Sequence, residues 1–152
     1  MKKFGTFLLA LVMVFGLVAC TFETNMSYTF TVETGDKIVV KLNTTDGHSI
    51  SSNVPFEVSK DGEELVTGIF LTEAMYNDYM DTIDVAYNVT VLDKSTKNGN
   101  QYTFVKFEHD DFDEYDYFIF VGGSNTGIAL GCVTSREDAE DCFNHLTISL
   151  AS

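Results

Sequence analysis

The pair Asn98-Gly99, set between the strand-like runs Asn88 to Leu92 and Gln101 to Phe107, constrains this chain more than any other feature. Asn-Gly accepts the positive φ values of a type I′ turn, whose twist matches that of the strands it joins, so the flanking runs must pair antiparallel. The same grammar recurs along the chain. Tyr28 to Val32 alternates apolar and hydroxyl residues, Glu33-Thr34-Gly35-Asp36 turns, and Lys37 to Leu42 runs back. Asn43 to Asn53 is polar and carries the turn signal Asp46-Gly47 with His48 beside it. Val54 to Val58 has strand character, and Pro55 within it, lacking an N–H for a ladder, predicts an edge position. Asp61-Gly62 turns into a returning strand from Leu65 to Phe70. Later, Tyr117 to Val121 and Gly127 to Val133 flank the turn Gly122-Gly123-Ser124-Asn125. Both runs are apolar on both faces, which predicts a central place in the sheet.

Two segments switch to helical spacing. Met75, Tyr76, Tyr79, Met80 and Ile83 recur every three or four residues, with Thr72 as N-cap and Glu73 at the positive end of the dipole, predicting a helix over 73–83. The spacing Thr134-Ser135-Arg136-Glu137 has the form of a capping box and opens a second helix over 135–145, with Ala139, Cys142, Phe143 and Leu146 inward. Thr147 to Leu150 closes the chain as a short tail or edge strand. Together these elements predict an α+β domain: an antiparallel meander of about 7–8 strands with two helices. The closing pattern, a strand, the Thr134–Leu146 helix and the terse Thr147-Ile148-Ser149-Leu150, resembles the end of Mog1/PsbP-like domains. That resemblance implies an α/β/α sandwich used as a binding or assembly scaffold, and it carries no implication of catalysis.

The N-terminus has its own logic. Lys2 and Lys3 precede an apolar run from Phe7 to Ala19, too short for the roughly 20 residues of a spanning helix and ordered like an export signal. Leu17-Val18-Ala19-Cys20 resembles the lipobox of bacterial lipoproteins. The resemblance implies removal of residues 1–19, lipidation of Cys20, and anchoring on the extracytoplasmic face of the cell membrane. Thr21, in place of Asp, resembles the class sent to an outer membrane where the host has one. Residues 20–26 form a short tether, and residues 27–152 a single globular domain. Without residues 1–19 the chain keeps 133 residues, with 7 basic against 23 acidic side chains and a formal charge of −16. Such acidity excludes nucleic acid as a partner and argues against a domain face lying on anionic lipid. The 13 Phe and 7 Tyr are a folding composition. The leading expectation is therefore a lipoprotein with a non-enzymatic domain that binds or assembles with another envelope component.

Two alternatives stand beside it: a lipoprotein that binds a cation (Ca²⁺) or a small ligand through the acidic stretch Glu108 to Asp116, and a carboxylate-based hydrolase. Asp110, Asp111, Asp113, Glu114 and Asp116 offer carboxylates from one turn, and Ca²⁺ takes about six to eight oxygen ligands. The spacing departs from the EF-hand loop at Tyr115 and Asp116, and a solvated hairpin tip that discourages edge pairing accounts for the same charges. Paired carboxylates also admit a hydrolase. Gly122 to Gly127 satisfies neither a nucleophile elbow, with Thr126 where glycine is needed, nor a P-loop, with Ile128 and Ala129 after its last glycine. The three histidines, His48, His109 and His145, show no metal-ligand spacing, and His145 reads as a partner for the helix dipole. Cys132 and Cys142 point into the same core layer, where a disulfide and two buried thiols are both open.

Overall fold

The tight turns close the hairpins expected of them. In the computed structural model, which describes residues 24–152, Asn98 and Gly99 adopt φ of 52° and 81°, and Asp61 and Gly62 adopt 52° and 87°. Both pairs thus occupy the left-handed region that a type I′ turn demands. The predicted export segment and Cys20 lie outside the described residues.

The described chain runs β1 (Asn25–Thr31), β2 (Lys37–Asn43), β3 (His48–Ile50), β4 (Phe56–Lys60), β5 (Glu63–Thr72), α1 (Glu73–Val85), β6 (Val89–Lys97), β7 (Asn100–Glu108), β8 (Asp113–Phe120), β9 (Thr126–Cys132), α2 (Arg136–His145) and β10 (Leu146–Leu150). The class is α+β, and both helices stand within two residues of their expected bounds. All strand pairs are antiparallel, but they build two sheets: three strands in the order β1-β2-β10, and seven in the order β3-β4-β5-β9-β8-β7-β6. The meander holds within β3 to β5 and within β6 to β9. Between them α1 carries the chain across one face to the far edge, so β5 pairs with β9 and not with β6. Strands β8 and β9 are central, as their two apolar faces predict.

Two local expectations need correction. The strand after Pro55 is not an edge strand: β3 pairs outside β4, and Pro55 escapes the ladder by preceding Phe56, where β4 begins. Strand β1 starts at Asn25, inside the 20–26 segment expected to precede the domain and before the expected Ser27 or Tyr28. Gly68 opposite Phe56 has a packing reason, since a Cβ there would lie 2.1 Å from the Phe56 ring.

The larger sheet buries both faces. On one, Leu71, Val105, Phe118 and Ala129 lie under Ile83, Tyr76 and Met80 of α1. These three are only part of the expected stripe. Met75 and Tyr79 stay at the rim with 44% and 39% of their surface exposed. On the other face, Phe104, Tyr117, Ile128 and Leu130 meet Ile38, Val40 and Leu42 of β2, Ile148 of β10, and Ala139, Cys142 and Phe143 of α2. A ring stack runs through this layer: Phe104 to Tyr117 at 4.1 Å, then Tyr117 to Phe143 at 3.9 Å. A cation closes each end, Arg136 over Phe104 at 5.8 Å and Lys97 over Phe143 at 4.3 Å. Lys97 also donates to the carbonyls of Phe143 and Leu146, satisfying the C-terminal end of α2. Burial lowers the pKa of that ammonium.

The capping of α2 is shifted by one residue from its expected place. Ser135, not Thr134, is the N-cap; its Oγ accepts the Asp138 N–H at 3.0 Å and donates to the Asp138 carboxylate at 2.8 Å. Thr134 is exposed and its hydroxyl instead meets Cys132 Sγ at 3.3 Å. Ser135→Ala should therefore destabilise the fold by about 1 kcal/mol, and Thr134→Ala by about 0.5 kcal/mol or less, in urea denaturation.

Candidate functional site

The acidic turn does not gather its carboxylates. It is a hairpin tip between β7 and β8, closed by the His109 N–H on the Phe112 carbonyl at 3.0 Å, with Asp110 and Asp111 exposed. Lys106 Nζ takes Asp113 at 3.1 Å and Glu108 at 3.0 Å, and His109 takes Glu114 at 3.0 Å. Because side chains alternate along a strand, Glu114 and Asp116 share the opposite face from Tyr115, over Gly131. Asp116 is the buried member. Its Oδ1 has no hydrogen-bond partner, and burial first, then the adjacent Glu114 charge, push its carboxyl up to about 8, against a backbone N–H from Cys132.

A second constellation comes together from opposite ends of the chain. His48, Asp141 and His145 each place one ligand atom within 4.8 Å of the others, the one such group of three or more among the described residues. His48 opens β3, directly after the 3-10 turn Thr45–Gly47, in which Asp46 adopts φ of 62°. Asp141 and His145 stand four apart on α2, hence on one face. His48 Nδ1 lies 2.9 Å from the Thr45 carbonyl, and His145 Nδ1 lies 2.8 Å from the Asp141 carbonyl. Carbonyls only accept, so both Nδ1 atoms carry protons. The rings stack at 3.9 Å with planes 21° apart. Asp141 is the hub: its Oδ2 is 3.0 Å from His48 Nε2 and accepts from Lys60 Nζ at 3.3 Å, and its Oδ1 is 3.5 Å from His145 Nδ1. Burial alone would raise its pKa, but Lys60, His48 and His145 outweigh it and hold the carboxyl below its ordinary value. His145, expected only as a dipole partner, thus joins His48 in a cluster that the linear order of the histidines does not show. The usable signal was the Asp141-to-His145 spacing on a helix; nothing local points to His48.

Cys132 and Cys142 are free and buried, so the thiol alternative is the one the fold adopts. Burial, with Cys132 and the nearby acids, pushes the Cys142 thiol up to about 12, and Cys132 donates towards the Ser135 carbonyl at 3.4 Å. Among the described residues no helix is long and apolar enough to cross a membrane.

Two outcomes are expected. The folded protein resists alkylation at Cys132 and Cys142, whereas denatured protein without reductant takes a label at each of these two positions, read by peptide mass spectrometry, because inert thiols and not a bridge are present. For Asp116 the folded pKa lies above the unfolded value, so native protein holds a proton that unfolded chain releases. Stability therefore falls as pH rises from about 4 to 8, and Asp116→Asn should flatten that fall in urea midpoints measured at about pH 5 and pH 8. Compared with protein-family models, with curated proteins and with solved structures, the chain matches none of them.

Proposed function

We propose that this protein is a lipid-anchored domain on the extracytoplasmic face of a bacterial membrane, where it binds or assembles with another envelope component. The reading rests on one observation above all: Leu17-Val18-Ala19-Cys20 closes an apolar run, and β1 begins at Asn25, leaving almost no spacer. Five extended peptide steps from Cys20 reach about 17 Å, so lipid on that cysteine holds the domain against the bilayer. Orientation follows from the β1–β2 hairpin. Asp36 accepts from Thr126 Oγ1 at 2.8 Å and from the Asn125 N–H at 2.9 Å, which ties the hairpin turn to the β8–β9 turn. The start of β1 then lies about 23 Å away along the strand, at the end that faces lipid.

The assembly side of the proposal is supported by α1. Met75 and Tyr79 are exposed one turn apart, and Val85 and Tyr87 follow at 83% and 101% exposure. Large apolar side chains left outside on a chain of net charge −14 favour contact with another protein surface.

Cys20→Ser is the direct test. Wild type should fractionate with membranes and show, by intact mass, a chain lacking residues 1–19 and carrying acyl groups. The variant should lose both the acyl mass and membrane retention, and a variant that keeps them would overturn the reading. Crosslinking in intact cells should capture an envelope protein through wild type and several-fold less through Tyr79→Asp.

A further inference from the structure

We infer that His48, Asp141 and His145 form a binding site for a divalent first-row transition metal ion, with Zn²⁺ as the reference ion. The site is independent of the anchor and of the acidic turn. His48 Nε2 approaches Asp141 Oδ2 to 3.0 Å. His48 Nδ1 already spends its proton on the Thr45 carbonyl. Nε2 of the neutral ring and a carboxylate oxygen would then face each other lone pair to lone pair. A cation must sit between them, and that cation is either a second proton or a metal ion.

The surroundings are those of a ligand histidine. An imidazole that binds metal through one nitrogen donates the other N–H to a carbonyl or carboxylate, which fixes tautomer and ring orientation. The Thr45 carbonyl does this for His48, on a side chain with 0% exposure. Two imidazoles and one carboxylate suit Zn²⁺, Ni²⁺ or Cu²⁺ and do not suit Ca²⁺, which asks for oxygen ligands. The spacing is close to what is needed. With metal–ligand bonds of about 2.0–2.1 Å, tetrahedral ligand atoms stand about 3.3 Å apart, against 3.0 Å for His48 to Asp141 and at most 4.8 Å across the group.

One movement is required. A metal ion lies near the plane of each imidazole it binds, and planes 21° apart at 3.9 Å do not converge on one point. Loading therefore swings His145, whose side chain is 15% exposed, out of the stack. Asp46 Oδ2 is 3.8 Å from His145 Nε2 on the exposed 3-10 turn and is placed to follow as a further oxygen ligand. Asp141, 36% exposed, leaves a path for the ion, and an open groove of about 490 Å³ lined in part by Asn25, Tyr28, Thr44 and His48 adjoins the site. Asn25 pairs with Asn43 and Thr44 donates to Thr24 at 2.8 Å, so the site lies at the end of the domain where the chain leaves for Cys20.

Lys60 holds the place of the ion in the metal-free protein. Its ammonium contacts the same Asp141 Oδ2 at 3.3 Å, and a 2+ ion there has to displace it. This competition distinguishes ligand chemistry from a merely structural cluster, because removing Lys60 should improve binding.

The experiment uses the full chain purified in mild detergent, stripped with chelator, and titrated with Zn²⁺ or Ca²⁺. One Zn²⁺ per chain is expected by calorimetry. Tm should rise by about 5–10 °C at a hundredfold excess over Kd, with full reversal by chelator. Millimolar Ca²⁺ should leave Tm unchanged. Asp141→Asn and His145→Gln, both at partly exposed positions, should fold and weaken Zn²⁺ binding at least about tenfold, while Lys60→Gln should tighten it about fivefold. Absence of Zn²⁺ stabilisation, an equal response to Ca²⁺, affinity indifferent to both ligand substitutions, or a Lys60→Gln variant that binds no tighter would each overturn the assignment.

Discussion

Strands β8 and β9 are apolar on both faces, and the rest of the fold follows from having to cover them twice. A sheet with one apolar face can leave the other in water; this one cannot. Helix α1 covers one side through Tyr76, Met80 and Ile83, and α2 with the β1-β2-β10 sheet covers the other. The chain visits the second layer at its beginning and at its end. The small sheet is therefore stitched from segments about a hundred residues apart, with Leu146 to Leu150 pairing back on Leu42 to Ile38.

Apolar burial is non-directional, so polar clips set where the second layer sits. Asn100, buried at the β6–β7 turn, donates to the Ile148 carbonyl at 2.7 Å and accepts the Gly122 N–H at 2.9 Å, linking β10 to the β8–β9 turn. Asp36 does the same from the β1–β2 turn, and its bonds to Thr126 and Asn125 hold its carboxyl below the ordinary value. Lys97 closes the end of α2 while lying on Phe143. With the second layer positioned in this way, α2 brings Asp141 and His145 to His48 on the edge strand of the larger sheet.

That placement explains why the two candidate sites fared differently. The acidic run Glu108 to Asp116 is conspicuous in the sequence, yet strand alternation divides it: Asp110 and Asp111 remain in solvent, Lys106 neutralises Asp113, and Asp116 turns inward. Density of carboxylates along a chain says little about convergence, because neighbours on a strand point to opposite faces. The histidine cluster is inconspicuous for the converse reason. Its members are 93 residues apart between His48 and Asp141, and only the docking of α2 makes them neighbours.

What the amino-acid order determined by itself was local. Asn98-Gly99 and Asp61-Gly62 dictate their turns through positive φ, Thr72 dictates where β5 becomes α1, and the doubly apolar runs in β8 and β9 dictate a central position. These effects act within a few residues, so a short window contains them. Tertiary structure decided the division into two sheets, the choice of Ser135 over Thr134 as cap, the free state of Cys132 and Cys142, and the meeting of His48 with Asp141 and His145. Each of these depends on which distant surface fills a given space, and packing two layers against one sheet is a property of the whole chain.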